Sequence, residues 1–154
     1  MGLEIYREKR KFDKTSEPKG SVVKKSGDIF VVQRHQARNL HYDFRLAMDG
    51  VLKSWAVPKG IPAKIGIKHL AVQVEDHPIG YAKFEGIIPH GEYGAGKVKI
   101  WDKGIYKDLQ INKKNGKISS IEVNLLGKRL KGKYVLVKTN FAGAKNSWLI
   151  FKTK

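Results

Sequence analysis

The chain has 154 residues, 31 Lys+Arg against 14 Asp+Glu, a formal charge of +17 and no cysteine. That length fits one domain with a real core, and 41% hydrophobic residues is too apolar for a disordered basic tail. The missing cysteines exclude a disulfide scaffold, iron–sulfur and zinc-ribbon sites and a thiol nucleophile; no apolar run reaches the ~20 residues of a membrane span, so the expectation is an intracellular protein without a membrane partner.

Residues 1–27 read as a polar arm broken by Pro18, Gly20 and Gly27, and residues 28–154 as the folded domain. Strand signals begin at Phe30-Val31-Val32-Gln33-Arg34-His35. His41-Tyr42-Asp43-Phe44-Arg45-Leu46 alternates polar and apolar, the period of a half-buried strand. Asp49-Gly50, a favoured hairpin dipeptide, leads into a third strand from Val51 to Val57. Further strands are expected at Leu70 to Glu75, Lys97 to Trp101, Ile118 to Leu125, Lys133 to Lys138 and Trp148 to Lys152. Turns are expected at Asn115-Gly116 and around Gly127 to Gly132. No dozen-residue window carries a helical stripe. The fold class is therefore all-β, a closed or nearly closed antiparallel barrel of about eight strands behind the polar arm.

The charge is uneven. Residues 1–34 hold nine basic and five acidic residues, residues 35–96 seven and six, and residues 97–154 fifteen and three. A basic final third suits a polyanion, and its preponderance of Lys over Arg suits phosphate contacts more than base reading.

Alternation puts His41, Asp43 and Arg45 on one face of their strand and Tyr42, Phe44 and Leu46 on the core face. His35 is in phase with Gln33 and Val31 on the preceding strand, and the short link 36–40 brings it towards His41 and Asp43. Two imidazoles and one carboxylate make an open divalent-metal site, and Arg45 adds a planar cation suited to a phosphoryl group. Each of these residues alone also fits a solvated strand face.

On the strand from Leu70, the phase of Leu70, Val72 and Val74 puts Gln73 and Glu75 opposite. His77 keeps their phase where Pro78 ends the strand, placed to protonate a leaving oxygen or stabilise charge, or simply to cap a loop. Neither His69 nor His90 is placed by strand phase. Gly91-Glu92-Tyr93-Gly94-Ala95-Gly96-Lys97 has the spacing of a nucleotide-binding loop. Val98 follows instead of Ser or Thr and a strand follows instead of a helix, so a tight turn is expected.

Several of these segments resemble consecutive motifs of the 3′-phosphoesterase module of bacterial and archaeal end-joining ligase D. They are Phe30 to His35, Leu40 to Leu46, Trp55 to Gly60, Val74 to Pro78, Phe84 to Pro89 and Gly94-Ala95-Gly96, in order. The resemblance runs from about Arg10 to at least Tyr106. It implies an enzyme that heals DNA 3′ ends, taking off a terminal ribonucleoside and then the 3′-phosphate. The cofactor implied is a divalent metal, Mn²⁺ first, with Zn²⁺ or Co²⁺ as alternatives.

By resemblance, the metal ligands are His35, His41 and Asp43, and the catalytic or phosphate-contacting groups are Arg45, His77 and Tyr81. Gln33, Lys59 and Glu75 match further functional positions, and Arg10 and Glu17 match an arm whose Arg reaches the phosphate. The chain departs from the family at Lys11, where Asp is usual, and at His69, where Arg is frequent; His serves there as a phosphate contact when protonated. The partners implied are DNA or RNA–DNA primer-template 3′ ends. The length of 154 residues leaves no room for ligase or polymerase domains, so the expectation is a protein that acts alone or with a separate ligase and polymerase in trans. The rival reading is a non-catalytic basic barrel that binds nucleic-acid ends as an adaptor. It explains the charge and leaves the His, Asp and Arg face without a purpose.

Overall fold

A computed structural model of the chain describes residues 2–21, 27–140 and 145–154. Alternating apolar segments pair into one antiparallel sheet. Its strands are β1 (Ile29–Gln36), β2 (Leu40–Met48), β3 (Val51–Val57), β4 (Lys68–His77), β5 (Gly86–Ile88), β6 (Gly96–Lys114), β7 (Lys117–Leu126), β8 (Lys131–Lys138) and β9 (Ser147–Lys152). The order is β1-β2-β3-β4-β9-β8-β7-β6-β5, and β1 also pairs with β6. That last ladder closes a ring of eight strands, the barrel expected from the sequence. Hairpin geometry follows from local chemistry. Asp49 and Gly50 (φ 54° and 81°) and Asn115 and Gly116 (φ 54° and 77°) supply the consecutive positive φ angles of tight β-turns.

The barrel interior is filled by Phe30, Val32, Phe44, Leu46, Trp55, Val57, Ile121, Leu136, Trp148 and their neighbours. A second apolar layer lies on the outer face of β1–β3. There Val31, Ala47, Val51 and Leu52 are covered by Leu3 and Tyr6 of the N-terminal segment and by Tyr81, Ala82 and Phe84. That segment holds the helix α1 (Glu4–Glu8), and a 3₁₀ helix spans Ile79–Lys83. Each has five residues, too few to show as a periodic stripe. The Tyr6 hydroxyl donates to the Pro18 carbonyl and Arg7 to that of Gly20 at 2.8 Å, folding residues 2–21 back on themselves.

Two elements differ from the sequence reading. β6 was expected to end at Trp101 and continues to Lys114. Residues 102–114 are rich in Lys and Asp, which have little intrinsic strand preference. Pairing with β7 holds them, with ladder irregularities at Lys107/Gln110 and Asn112/Lys113 and Asp108 at φ 56°.

β4 breaks its own alternation. Ala71 is the core residue, whereas Leu70 is 40% exposed. Gln73 faces the barrel interior with Trp55 and Trp148, while Val74, Glu75 and His77 all face the outer cavity. A register shift against β3 between Leu52 and Ser54 puts the consecutive residues Val74 and Glu75 on one side.

Candidate metal and phosphate site

The β1–β2 ladder pairs His35 with His41 and Gln33 with Asp43, so alternation converges on the outer face. His35 Nδ1 lies 3.4 Å from Asp43 Oδ2, and His41 Nε2 lies 3.2 Å from Asp43 Oδ1. One ligand atom from each residue falls within 4.8 Å of the others. The outward nitrogens are fixed by backbone carbonyls: His35 Nε2 donates to Gly94 at 2.7 Å, and His41 Nδ1 to Asn39 at 3.1 Å. In the neutral rings the remaining nitrogens carry lone pairs, and both face a carboxylate. Such a grouping is repulsive until a proton or a cation enters it, which fits a divalent metal held by His35 Nδ1, His41 Nε2 and Asp43.

The electrostatics agree. Burial works against the charged His41 ring, but its bond to Asp43, the Asp43 charge and the Asn39 carbonyl outweigh burial and raise its pKa. Burial also opposes ionisation of Asp43, yet Arg45 and the two imidazoles hold that carboxyl well below the usual range.

Arg45 lies two residues along β2 and is 3% exposed. Its Nε donates to Gln33 Oε1 at 2.7 Å, and its NH2 lies 3.5 Å from Asp43 Oδ2. The Gln33 amide is itself tied to the carbonyls of Tyr81 and Phe84, at 2.7 and 3.0 Å. Arg45 NH1 is buried with no partner. A buried cationic donor left unpaired is costly, and a phosphoryl oxygen satisfies it. A cavity of about 220 Å³ joins Arg45 to the metal trio, Arg10, Glu75, His77, Tyr81 and Tyr93.

This arrangement can be set beside known proteins. The family model "DNA Ligase D 3′-phosphoesterase domain" matches residues 33–138. The chain belongs to that family. The "Multifunctional non-homologous end joining protein LigD" of Pseudomonas aeruginosa is 45% identical over 155 residues, 99% of this chain and 18% of that protein. The "Multifunctional non-homologous end joining DNA repair protein LigD" of Mycobacterium tuberculosis is 48% identical over 154 residues, 99% of this chain and 20% of that protein. The chain thus spans about a fifth of the length of these curated relatives.

The other positions that the ligase D resemblance singled out fall into two groups. Arg10 reaches the cavity from the N-terminal segment, its Nε on Glu17 at 2.9 Å and its NH1 on Glu75 at 3.1 Å. Its NH2 lies 3.3 Å from His77 Nε2, and its guanidinium covers Tyr6 at 4.0 Å. Glu17 also accepts from Tyr81 at 2.6 Å and from Thr15 at 3.0 Å. Burial and the Glu17 charge raise the Tyr81 pKa, so that hydroxyl keeps its proton and donates it to Glu17. The Tyr81 hydroxyl is thus engaged with Glu17, and the Arg45 guanidinium lies 4.8 Å from the centre of its ring.

Lys59 and His69 lie outside this cluster. Lys59 is exposed in the turn after β3, and His69 Nδ1 donates to the Gly60 carbonyl at 2.6 Å. His90, left unassigned, is exposed in its turn. Residues 91–95 form the expected turn ahead of β6. What composition did not reveal is that this turn carries Tyr93 into the cavity and aims the Gly94 carbonyl at His35. Tyr6, Thr15 and Asn39 were likewise missed. For the turn itself, the close spacing of glycines at 91, 94 and 96 in the sequence was the available signal, and Gly96 sits where a Cβ would come 2.2 Å from the Gln36 carbonyl.

His77 is 3% exposed, and its Nδ1 donates to the Glu75 carbonyl at 2.9 Å. Burial, then Arg45 and Arg10, hold its pKa well below 6.5. The neutral ring presents Nε2 as an acceptor, whereas both roles expected from the sequence need an imidazolium. Unfolding frees the ring to bind a proton that the folded ring refuses. His77 therefore contributes stability fully above pH 6.5 and progressively less as pH falls towards its folded pKa. Long-range proton–nitrogen spectra at pH 6.5 are expected to show the Nδ1–H neutral tautomer; a half-protonated ring there contradicts the assignment.

Proposed function

We propose that the protein is a divalent-metal phosphoesterase, Mn²⁺-preferring, that heals DNA 3′ ends. It removes a 3′-terminal ribonucleoside as a phosphodiesterase and a 3′-phosphate as a phosphomonoesterase, leaving a 3′-hydroxyl that can be ligated. The observation that carries this is the unpaired, buried Arg45 NH1 beside the His35, His41 and Asp43 trio. Membership in the ligase D phosphoesterase family supports it.

A divalent ion held by the trio supplies Lewis-acid polarisation of a phosphoryl oxygen and lowers the pKa of water. The protein supplies the rest. Arg45 receives a non-bridging oxygen on NH1 while Gln33 fixes its fork, so the cation is oriented before substrate arrives. Arg10 has most of its donors committed to Glu17, Tyr6, Glu75 and His77 Nε2, leaving the second N–H of NH2 to reach the phosphate beside His77.

A bound phosphate offsets the Arg45 and Arg10 charges that help keep His77 neutral. The ring gains proton affinity as substrate binds and can then protonate the leaving nucleoside oxygen.

The test is incubation with Mn²⁺ and primer-templates ending in one ribonucleotide or in a 3′-phosphate. Expected products are the 3′-phosphate and then the 3′-hydroxyl strand, with no trimming further in. DNA that binds without either end being processed makes the protein an adaptor instead.

A further inference from the structure

Two partly exposed rings at the barrel mouth take no part in the hydrolytic site. Tyr42 and Trp101 pack edge to face, centroids 5.7 Å apart, at the margin of the interior core. Tyr42 lies between His41 and Asp43 in sequence and points to the opposite face of β2. The pair therefore stands behind the wall that carries the metal trio.

Cations surround it. Arg34 is flanked in register by Tyr42 on β2 and Lys99 on β6. The Arg129 guanidinium lies 4.8 Å from the Trp101 ring centre. Its position is built into the fold. The buried Asp102 carboxylate accepts the backbone N–H groups of Lys128, Arg129 and Leu130 at 2.9, 3.1 and 2.8 Å. Gly127 packs so tightly there that a Cβ would come 2.3 Å from Asp102 Oδ2. Among the described residues, no carboxylate pairs with the side chains of Arg34, Lys99 or Arg129.

Unneutralised cations around partly exposed aromatic rings match one chemistry above others: unpaired nucleotides, whose bases stack while their phosphates meet the cations. An acidic peptide offers the charge without the planar rings. The geometry points to a subsite for the single-stranded nucleotides that adjoin the reacting 3′ end. Bases lie on Tyr42 and Trp101, and phosphates meet Arg34, Lys99 and Arg129. The subsite rests on the DNA-end reading above and extends it. Arg34 precedes the ligand His35 directly, so a strand crossing the rim formed by residues 36–40 passes from the platform to the metal trio.

The probe is a ten-nucleotide oligo-dT with a plain 3′-hydroxyl, added to the full chain in EDTA. Trp55 and Trp148 are 1% and 2% exposed, so quenching of tryptophan emission reports Trp101. Quenching is expected in the wild type and absent in Trp101→Phe. Arg34→Ala and Arg129→Ala should each weaken binding about threefold or more and lower the slope of log affinity against log salt by roughly 0.7. A blunt duplex of equal length should quench less. No quenching by oligo-dT, quenching that survives Trp101→Phe, or arginine variants with unchanged affinity and salt slope would each overturn the subsite. Should Trp101→Phe not fold, the half-buried Arg34 and the exposed Arg129 decide. The probe has no processable end and needs no metal, so failure here leaves the hydrolytic reading standing, and failure of the primer assay leaves this binding intact.

Discussion

Replacing His41 with alanine is expected to abolish turnover, by on the order of 10³-fold or more, while the protein stays folded and still binds DNA. The magnitude follows from what a Lewis acid contributes to phosphoryl transfer, several kcal/mol at tenfold per ~1.4 kcal/mol. His41 is suited to the test because its side chain is 24% exposed at the start of β2 and fills no core position. Asp43 is a poorer choice, since its loss also unpairs the buried Arg45. With His41 gone, only His35 and Asp43 remain of the trio, and Mn²⁺ affinity should drop with activity. Electron paramagnetic resonance of free Mn²⁺ measures the first, and 3′-phosphate release measures the second. An alanine variant that still turns over, or still binds Mn²⁺ as the wild type does, removes His41 from the metal site.

The part of the site on β1 and β2 was legible because it depends on a local rule. Strand alternation put Phe44 and Leu46 in the core, which forces Asp43 and Arg45 outwards, and the five-residue link brought His35 opposite His41. The same rule failed on β4. Its irregularity against β3 is set by tertiary pairing, and nothing in Val74-Glu75 announces it.

The arm's part in the site was legible only through resemblance. Arg10 meets Glu75 and His77 across 65 and 67 residues, and no spacing pattern encodes contacts that distant. Gly94 shows a different limit. It acts through its carbonyl, a group every residue has, so residue type could mark the turn but not the bond to His35. Lys59 and His69 were transferred by motif alone, and the fold places them outside the cavity's lining. The barrel itself was the most legible feature, because Asp49-Gly50 and Asn115-Gly116 fix two hairpins from sequence.

Arg45→Lys should show whether the guanidinium acts through its shape or through its charge. Lysine keeps a cation near Asp43 and so preserves the charge that keeps that carboxylate ionised. A single ammonium cannot hold Gln33 at 2.7 Å and also offer an oriented second nitrogen to substrate. If NH1 meets developing charge on the phosphoryl group, kcat/KM falls roughly 10²- to 10³-fold, the cost of removing one preorganised donor. The loss should lie mainly in kcat, because the retained charge still attracts the ground-state dianion. Mn²⁺ affinity should change far less than in His41→Ala, which separates phosphate recognition from metal loading. A lysine variant with wild-type kcat means that charge alone suffices at position 45, and the unpaired NH1 has no catalytic part.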